Sequence, residues 1–340
     1  MSTALVTAIG SFSADIVIKK LKAMGQRVVG CDIYPRELVV DAGATDVFYQ
    51  APKTSHEQEY AQFIEGVCTQ ERVDYILPLT DIDVDFFNAH RAQDGSFAHA
   101  LVCISPAFAL SYCRDKDAMA RFLETSASGI QGIQTALLAD MDAVPVRFPV
   151  VVKPTDGRSS QGLMYVHNQR EWEEVCKTAD RISTIVQPYV EGRVVCVDIV
   201  RAADGRVCAA VPRREYLRTL NGAGTSVEVF HNASLQEACI KLAHELGVVG
   251  CVNFEFIEED PQGVGACHLT GDNNLPLEKY HFLECNPRFA GGVEFSCIAA
   301  YDCITNHMHA YQGKPLDMPV AYKAQFIARK YEEYVTKVED

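Results

Sequence analysis

Within the first hundred or so residues, short uninterrupted apolar runs alternate with amphipathic stretches, and few folds accommodate that alternation. Ala4 to Ala8 is the first run, and Gly10 and Ser11 supply a turn. Val17, Leu21 and Met24 then recur at helical spacing, with Ser13 placed to cap the helix and Gly25 to close it. Further runs follow at Arg27 to Asp32, Val73 to Leu79 and Ala100 to Ile104, with helix-like sequence after the later ones. Strands joined by crossover helices give an open α/β sheet of parallel strands.

Near residue 112 the pattern changes. SYCRDKDAMARFLETS reads as a helix, and from Phe148 to about Val200 strand patterns dominate: FPVVVKP, GLMYVHN, TIVQPYV and RVVCVDIV, with one helix around Trp172 to Ala179. This predicts a small antiparallel lobe over about 144–200. Strands are expected again at Val207 to Pro212, Val252 to Ile257 and His281 to Cys285, with a helix from Leu235 to Leu246. The polar, Gly-rich insert 258–276 reads as an exposed hairpin or loop. A chain of 340 residues fits two domains, and the break falls at 1–112 and 113–340.

Charge and cysteine usage narrow the partners. A formal charge of −14 argues against nucleic acid, which needs a surplus of Lys and Arg on one face. Thirteen cysteines form no Cys-x-x-Cys pair and most lie in apolar runs, so buried free thiols in a reducing cytoplasm are expected rather than disulfides or a zinc ribbon. No leader pattern or long apolar span appears, so a membrane is not an expected partner.

Chemistry concentrates in four places. On a strand, residues two apart face one side, so Glu284 and Asn286 in LECNPR present two oxygen ligands together, and Glu255 in NFEF supplies a third from another strand. Such a hard oxygen set suits Mg²⁺ or Mn²⁺, and carboxylates within apolar strands are costly without a partner. Arg288 stands just beyond, able to neutralise a transferring phosphoryl group or hold an anionic substrate. Lys153 ends the apolar strand PVVVKP and precedes a loop holding Gly157, Ser159, Ser160 and Gly162, whose backbone N–H groups can close over phosphates; the bland reading is a hairpin turn. Lys116, in a polar first helical turn, is by itself an ordinary solvated residue. Gln187, Pro188, Tyr189 and Val190 form an extended link able to read an adenine edge, or simply a connection between lobes. Arg213, Arg214 and Arg218 lie where the chain is expected to leave a strand; Arg214 and Arg218 are candidate clamps for a substrate carboxylate, against a solvated basic turn.

In order and spacing, Lys116, PVVVKP with its Gly/Ser loop, QPYVEG, NFEF and LECNPRFAGG together resemble the ATP-grasp superfamily, particularly the branch of the carbamoyl phosphate synthetase large subunit and related carboxylate–amine ligases. The resemblance covers nearly the whole chain. It implies an N-terminal Rossmann-like domain followed by a two-lobed ATP-grasp domain. The implied activity is an ATP-dependent ligase that makes an acyl phosphate and passes it to an amine or similar nucleophile, with ATP and Mg²⁺ as cofactors and small-molecule carboxylate and amine substrates. The assembly is left open to a homodimer. By the resemblance, Lys116 and Lys153 contact ATP phosphates, Gly157 to Gly162 form a mobile loop, and Gln187 to Val190 line the adenine. Glu255, Glu284 and Asn286 hold metal, and Arg288 faces the acyl phosphate. The position where many relatives carry an acidic ribose ligand falls on Val194, with Glu191 as the nearby substitute, and Arg158 and two serines replace a run of glycines in the loop.

Two readings compete. Gly10 after one strand and Asp32 at the end of the next imitate an NAD site, although AIGSFSAD carries one glycine where the fingerprint wants three. The other is a non-catalytic nucleotide-binding module, whose mark would be a lost lysine or metal ligand; none is lost here.

Overall fold

The computed structural model describes residues 1–340 apart from 142–144, 159, 221, 260–274, 318–321 and 339–340. The first expected unit contains β1 (Thr3–Thr7), α1 (Ala14–Ala23), β2 (Arg27–Asp32), β3 (Val47–Gln50), α2 (Glu57–Glu71), β4 (Tyr75–Pro78), α3 (Asp81–His90), β5 (Ser96–Phe97) and β6 (Ala100–Val102). Its sheet runs β3-β2-β1-β4-β6-β5 and is parallel except for the β5/β6 hairpin. Parallel strands need crossovers, and the helical spacing seen in the sequence supplies them. The Ser13 side chain does not cap α1, whereas Gly25 takes the left-handed φ of +74° that ends it.

After α4 (Ala107–Cys113) and α5 (Lys116–Thr125) the chain forms β7 (Gln131–Gly132), β8 (Ala136–Leu137), β9 (Val150–Pro154), β10 (Met164–Val166), α6 (Gln169–Thr178) and β11 (Thr184–Pro188). Strands β10-β9-β11-β8 make an antiparallel sheet that packs Val150, Val152 and Val186 against Trp172 and Val175 of α6. This small sheet ends at Pro188. The strand RVVCVDIV, assigned above to the small lobe, is β12 (Gly192–Arg201) and belongs to the larger sheet, because its register pairs it with two long strands there.

That larger sheet adds β13 (Val207–Arg218), β14 (Gly224–Val229), β15 (Gly250–Glu259), β16 (Tyr280–Asn286) and β17 (Gln325–Ala328), in the order β17-β14-β13-β12-β15-β16-β7. One face packs on α7 (Ala233–Leu246) through Phe254, Phe256, Leu242 and Leu246. The other meets α8 (Val293–Ile298), α9 (Cys303–Gln312) and α1. A single apolar core there joins Val6, Ile9 and Ile18 to Val200, Val211 and Met308, so the sequence on both sides of residue 112 shares one interior. Insert 258–276 lies mostly outside the described residues; Glu258 and Glu259, read as loop, finish β15.

Candidate active site

Strand register builds the acidic part of the site. Residues directly opposite on neighbouring strands share a face, and Arg213 of β13, Cys196 of β12, Glu255 of β15 and Glu284 of β16 form one such row. Asp198, Asn253 and Asn286 form the next. The Asn286 Nδ2 donates to Glu255 Oε1 at 2.9 Å, and its Oδ1 accepts from Arg288 Nη2 at 3.2 Å. Two half-buried carboxylates thus meet: desolvation first, and Glu284 second, push the Glu255 carboxyl up to about 7, with Arg218 pulling the other way.

Alternation in β9 supplies the basic part. Val150 and Val152 face α6, so Lys153 must point the other way, along with Ile185 and Gln187 of β11. Lys153 is only 8% exposed. Burial lowers its ammonium to about 8, against the opposing pull of Glu284 and with the help of Lys116. Lys116 opens α5, where Asp115 caps the helix by accepting from the N–H groups of Asp117 and Ala118. Its Nζ donates to the Gly157 carbonyl at 2.6 Å and lies 3.4 Å from Glu284. Three separate elements therefore converge on Glu284.

The remaining sequence candidates divide. Gly162 has a φ of +73°, and a Cβ there would stand 2.9 Å from Pro154 Cγ, so the turn after Lys153 requires glycine. Ser160 also takes a positive φ of 58°, and Ser159 lies outside the described residues. A cleft between the sheets is lined by Lys116, Thr135, Gln187, Phe282, Leu283 and Glu284. Gln187 is buried and donates to Thr135 Oγ1 at 2.8 Å, whereas Pro188 and Tyr189 are exposed and Val190 is half-buried. Val194 is half-buried within β12 and Glu191 is exposed beside it.

The arginine candidates are sorted by the irregularity of β13, whose register against β14 shifts between Glu215 and Leu217 and again between Leu217 and Arg218. Arg218 lies beside the acidic pair, 3.6 Å from Glu255 and 2.7 Å from Glu215, and is partly exposed. Arg214 does not lie there. It sits mid-strand on the opposite face, bonded to Glu258 at 2.8 Å, 3.4 Å from Glu228 and stacked over Phe230, so it is a buried structural cation rather than a substrate clamp. Arg213 is wholly buried against Asp198, which also accepts from Ser296 and Asn253. The expected strand end falls at Arg218, the last residue of β13, and not at Arg213 or Arg214.

Sequence reading missed the acidic contribution of the first unit. Asp81 accepts from Arg288 Nε at 3.2 Å and Nη2 at 2.8 Å, and Asp85 holds Arg114 and approaches Arg158. The available signal was the run DIDVD just after an apolar strand. The dinucleotide look-alike is also explained: Asp32 accepts from the Gly10 N–H at 2.8 Å, taking up an amide that a pyrophosphate would need.

Residues 113–292, more than half of the chain, match the profile of the ATP-grasp domain. The chain belongs to the ATP-grasp family. It is 31% identical over 121 residues to a D-alanine–D-alanine ligase of Fusobacterium nucleatum, which is 33% of this chain and 42% of that protein. A D-alanine–D-alanine ligase of Lacticaseibacillus casei is 44% identical over 59 residues, 17% of this chain and 16% of that one. This ATP-grasp chain thus aligns with less than half the length of these curated relatives. By fold it is similar to the biotin carboxylase domain of Hydrogenobacter thermophilus 2-oxoglutarate carboxylase, solved with MgADP, ADP and bicarbonate (TM-score 0.70, 16% identity, 92% of this chain and 70% of that one). It is also similar to N5-carboxyaminoimidazole synthetase of Staphylococcus aureus, solved with ADP (TM-score 0.69, 14% identity, 94% and 80%). No helix among the described residues is long and apolar enough to cross a membrane.

The donor set fits a hard divalent cation. Facing carboxylates, one pushed up to about 7 by burial and then by its neighbour Glu284, are what a cation would relieve. Among the described residues no group of three acidic, His or Cys side chains is arranged to hold a metal ion.

Proposed function

We propose that this ATP-grasp chain is an ATP-dependent ligase that activates a small-molecule carboxylate as an acyl phosphate and joins it to an amine or similar nucleophile, releasing ADP and phosphate. What carries the reading is the convergence of Lys116, Lys153, Glu255 and Glu284, from a helix, the small sheet and two strands of the large sheet. Glu255, Glu284 and Asn286 would hold Mg²⁺, which supplies charge neutralisation between carboxylate and triphosphate. We assign adenine to the Gln187 side of the cleft, and residues 1–112 and 113–340 to the two domains.

The chemistry follows from charge. A carboxylate is a poor electrophile because oxide is a poor leaving group, and phosphorylation converts that oxygen into a good one. Lys116 and Lys153 orient the triphosphate and offset its repulsion from the incoming carboxylate. Arg288 lies beside Asn286 to hold the acyl phosphate, and Arg218, across from Glu255, is the proposed clamp for the substrate's own anionic group. The acyl phosphate must be shielded from water, and the turn over Lys116, drawn in by the Gly157 carbonyl, is placed to do so.

The test is ADP release over a panel of amino acids and small carboxylates paired with amines. Wild type should release ADP with at least one pair, and Glu284→Gln should abolish it while circular dichroism and melting temperature stay unchanged. Undiminished turnover in that variant would remove the metal assignment.

A further inference from the structure

We propose that Asp81, from the first α/β unit, is a positioning residue for Arg288, and that the acyl-transfer site is therefore completed across the interface between the two expected domains. This rests on the ligase reading given above. Asp81 is the first residue of α3, follows the carboxyl end of the parallel strand β4 and lies 207 positions from Arg288 in sequence. It is 5% exposed, yet its carboxyl stays below the usual range: burial opposes ionisation, and Arg288 and then Arg114 outweigh it. An ionised carboxylate buried to that degree is tolerated only because guanidinium groups surround it.

A guanidinium has five N–H donors in a rigid plane. Arg288 gives Nε–H and one Nη2–H to Asp81, the second Nη2–H to Asn286 and one Nη1–H to the Phe289 carbonyl. One Nη1–H remains. The bidentate carboxylate fixes the plane and the direction of that last donor, and Asn286 links the same plane to Glu255. Without Asp81 the side chain would be tethered only by two single bonds on one flank, leaving the plane free to turn. Asp85, one helical turn on, binds Arg114 through both Nε and Nη2 at 2.8 and 3.0 Å, and Arg114 stands two residues before Lys116. The same helix thus braces the segment that delivers the phosphate-binding lysine.

The experiment uses the full chain with wild type, Asp81→Asn, Asp81→Glu, Arg288→Lys and the double variant Asp81→Asn/Arg288→Lys. With the productive substrate pair, Asp81→Asn should lower kcat by about 10- to 100-fold, the range for a catalytic group displaced by about 1 Å. KM for ATP should stay within about threefold, since uniform binding is untouched. Asp81→Glu should recover part of the loss, and Asp81→Asn should add less than about twofold on the Arg288→Lys background, as coupling through one side chain requires. A second readout needs no substrate: exchange of the Arg288 Nε–H with solvent, followed by nitrogen-15 NMR, should be slow in wild type and fast in Asp81→Asn, with the Arg114 Nε–H unchanged. A wild type that releases no ADP with any pair refutes the ligase reading, and the exchange measurement still decides whether Asp81 fixes Arg288. Wild-type kcat in Asp81→Asn, additive losses in the double variant, or unaltered exchange overturns the proposal.

Discussion

If Lys153 binds ATP phosphate, nucleotide affinity must depend on pH in a direction that the burial of this lysine sets. Its ammonium is lowered from 10.5 to about 8, equivalent to about 3 kcal/mol of lost preference for the charged form. Because the folded value lies below the ordinary one, the folded chain binds fewer protons than the unfolded chain between about 8 and 10.5. The charged lysine therefore destabilises the fold fully below pH 8, and the effect fades as pH rises to 10.5. A triphosphate reverses this by supplying the missing negative charge, so ATP binding above pH 8 must draw in a proton. With the bound value restored to about 10 or more, affinity at pH 9.5 should be about 20- to 30-fold weaker than at pH 7. Isothermal titration calorimetry of ATP with EDTA present, so that no cation masks Glu255 and Glu284, measures this directly. Repeating it in buffers of different ionisation enthalpy counts the proton, expected to be close to one at pH 9.5. Lys153→Met should bind weakly at pH 7 and lose the steep part of the dependence. An affinity that stays flat between pH 7 and 9.5, or a slope that survives in Lys153→Met, would show that this lysine does not meet the phosphates.

Two further outcomes test the acidic face and the reassigned arginine. Glu255, raised to about 7, must lose its proton to hold a cation, so Mn²⁺ affinity read by electron paramagnetic resonance should be about tenfold weaker at pH 6 than at pH 8, with Glu255→Gln weaker still and flat with pH. Arg214→Met breaks a buried pair with Glu258 and should destabilise the chain by about 3–5 kcal/mol in urea unfolding, while ATP affinity stays within about twofold. A stable Arg214→Met with impaired ATP binding would return this residue to the site.

The sequence alone determined the local periods. Apolar runs and helical spacing set the parallel sheet of the first unit, the apolar strand ending at Lys153, and the two-residue step that turns Glu284 and Asn286 to one side, because these depend only on neighbours along the chain. Motif order then pointed to a single family. What tertiary structure alone decided is which distant groups meet. Register placed Glu255 opposite Glu284, and the register shifts between Glu215 and Arg218 brought Arg218 to Glu255 while Arg214 stayed with Glu258 on the α7 face. Strand pairing moved Gly192–Arg201 out of the small lobe. Tertiary packing brought Asp81 of α3 to Arg288 beyond β16, a contact with no periodicity to betray it. A period is a short-range property, while a salt bridge across 207 residues exists only once hydrophobic packing has fixed the relative positions of whole sheets.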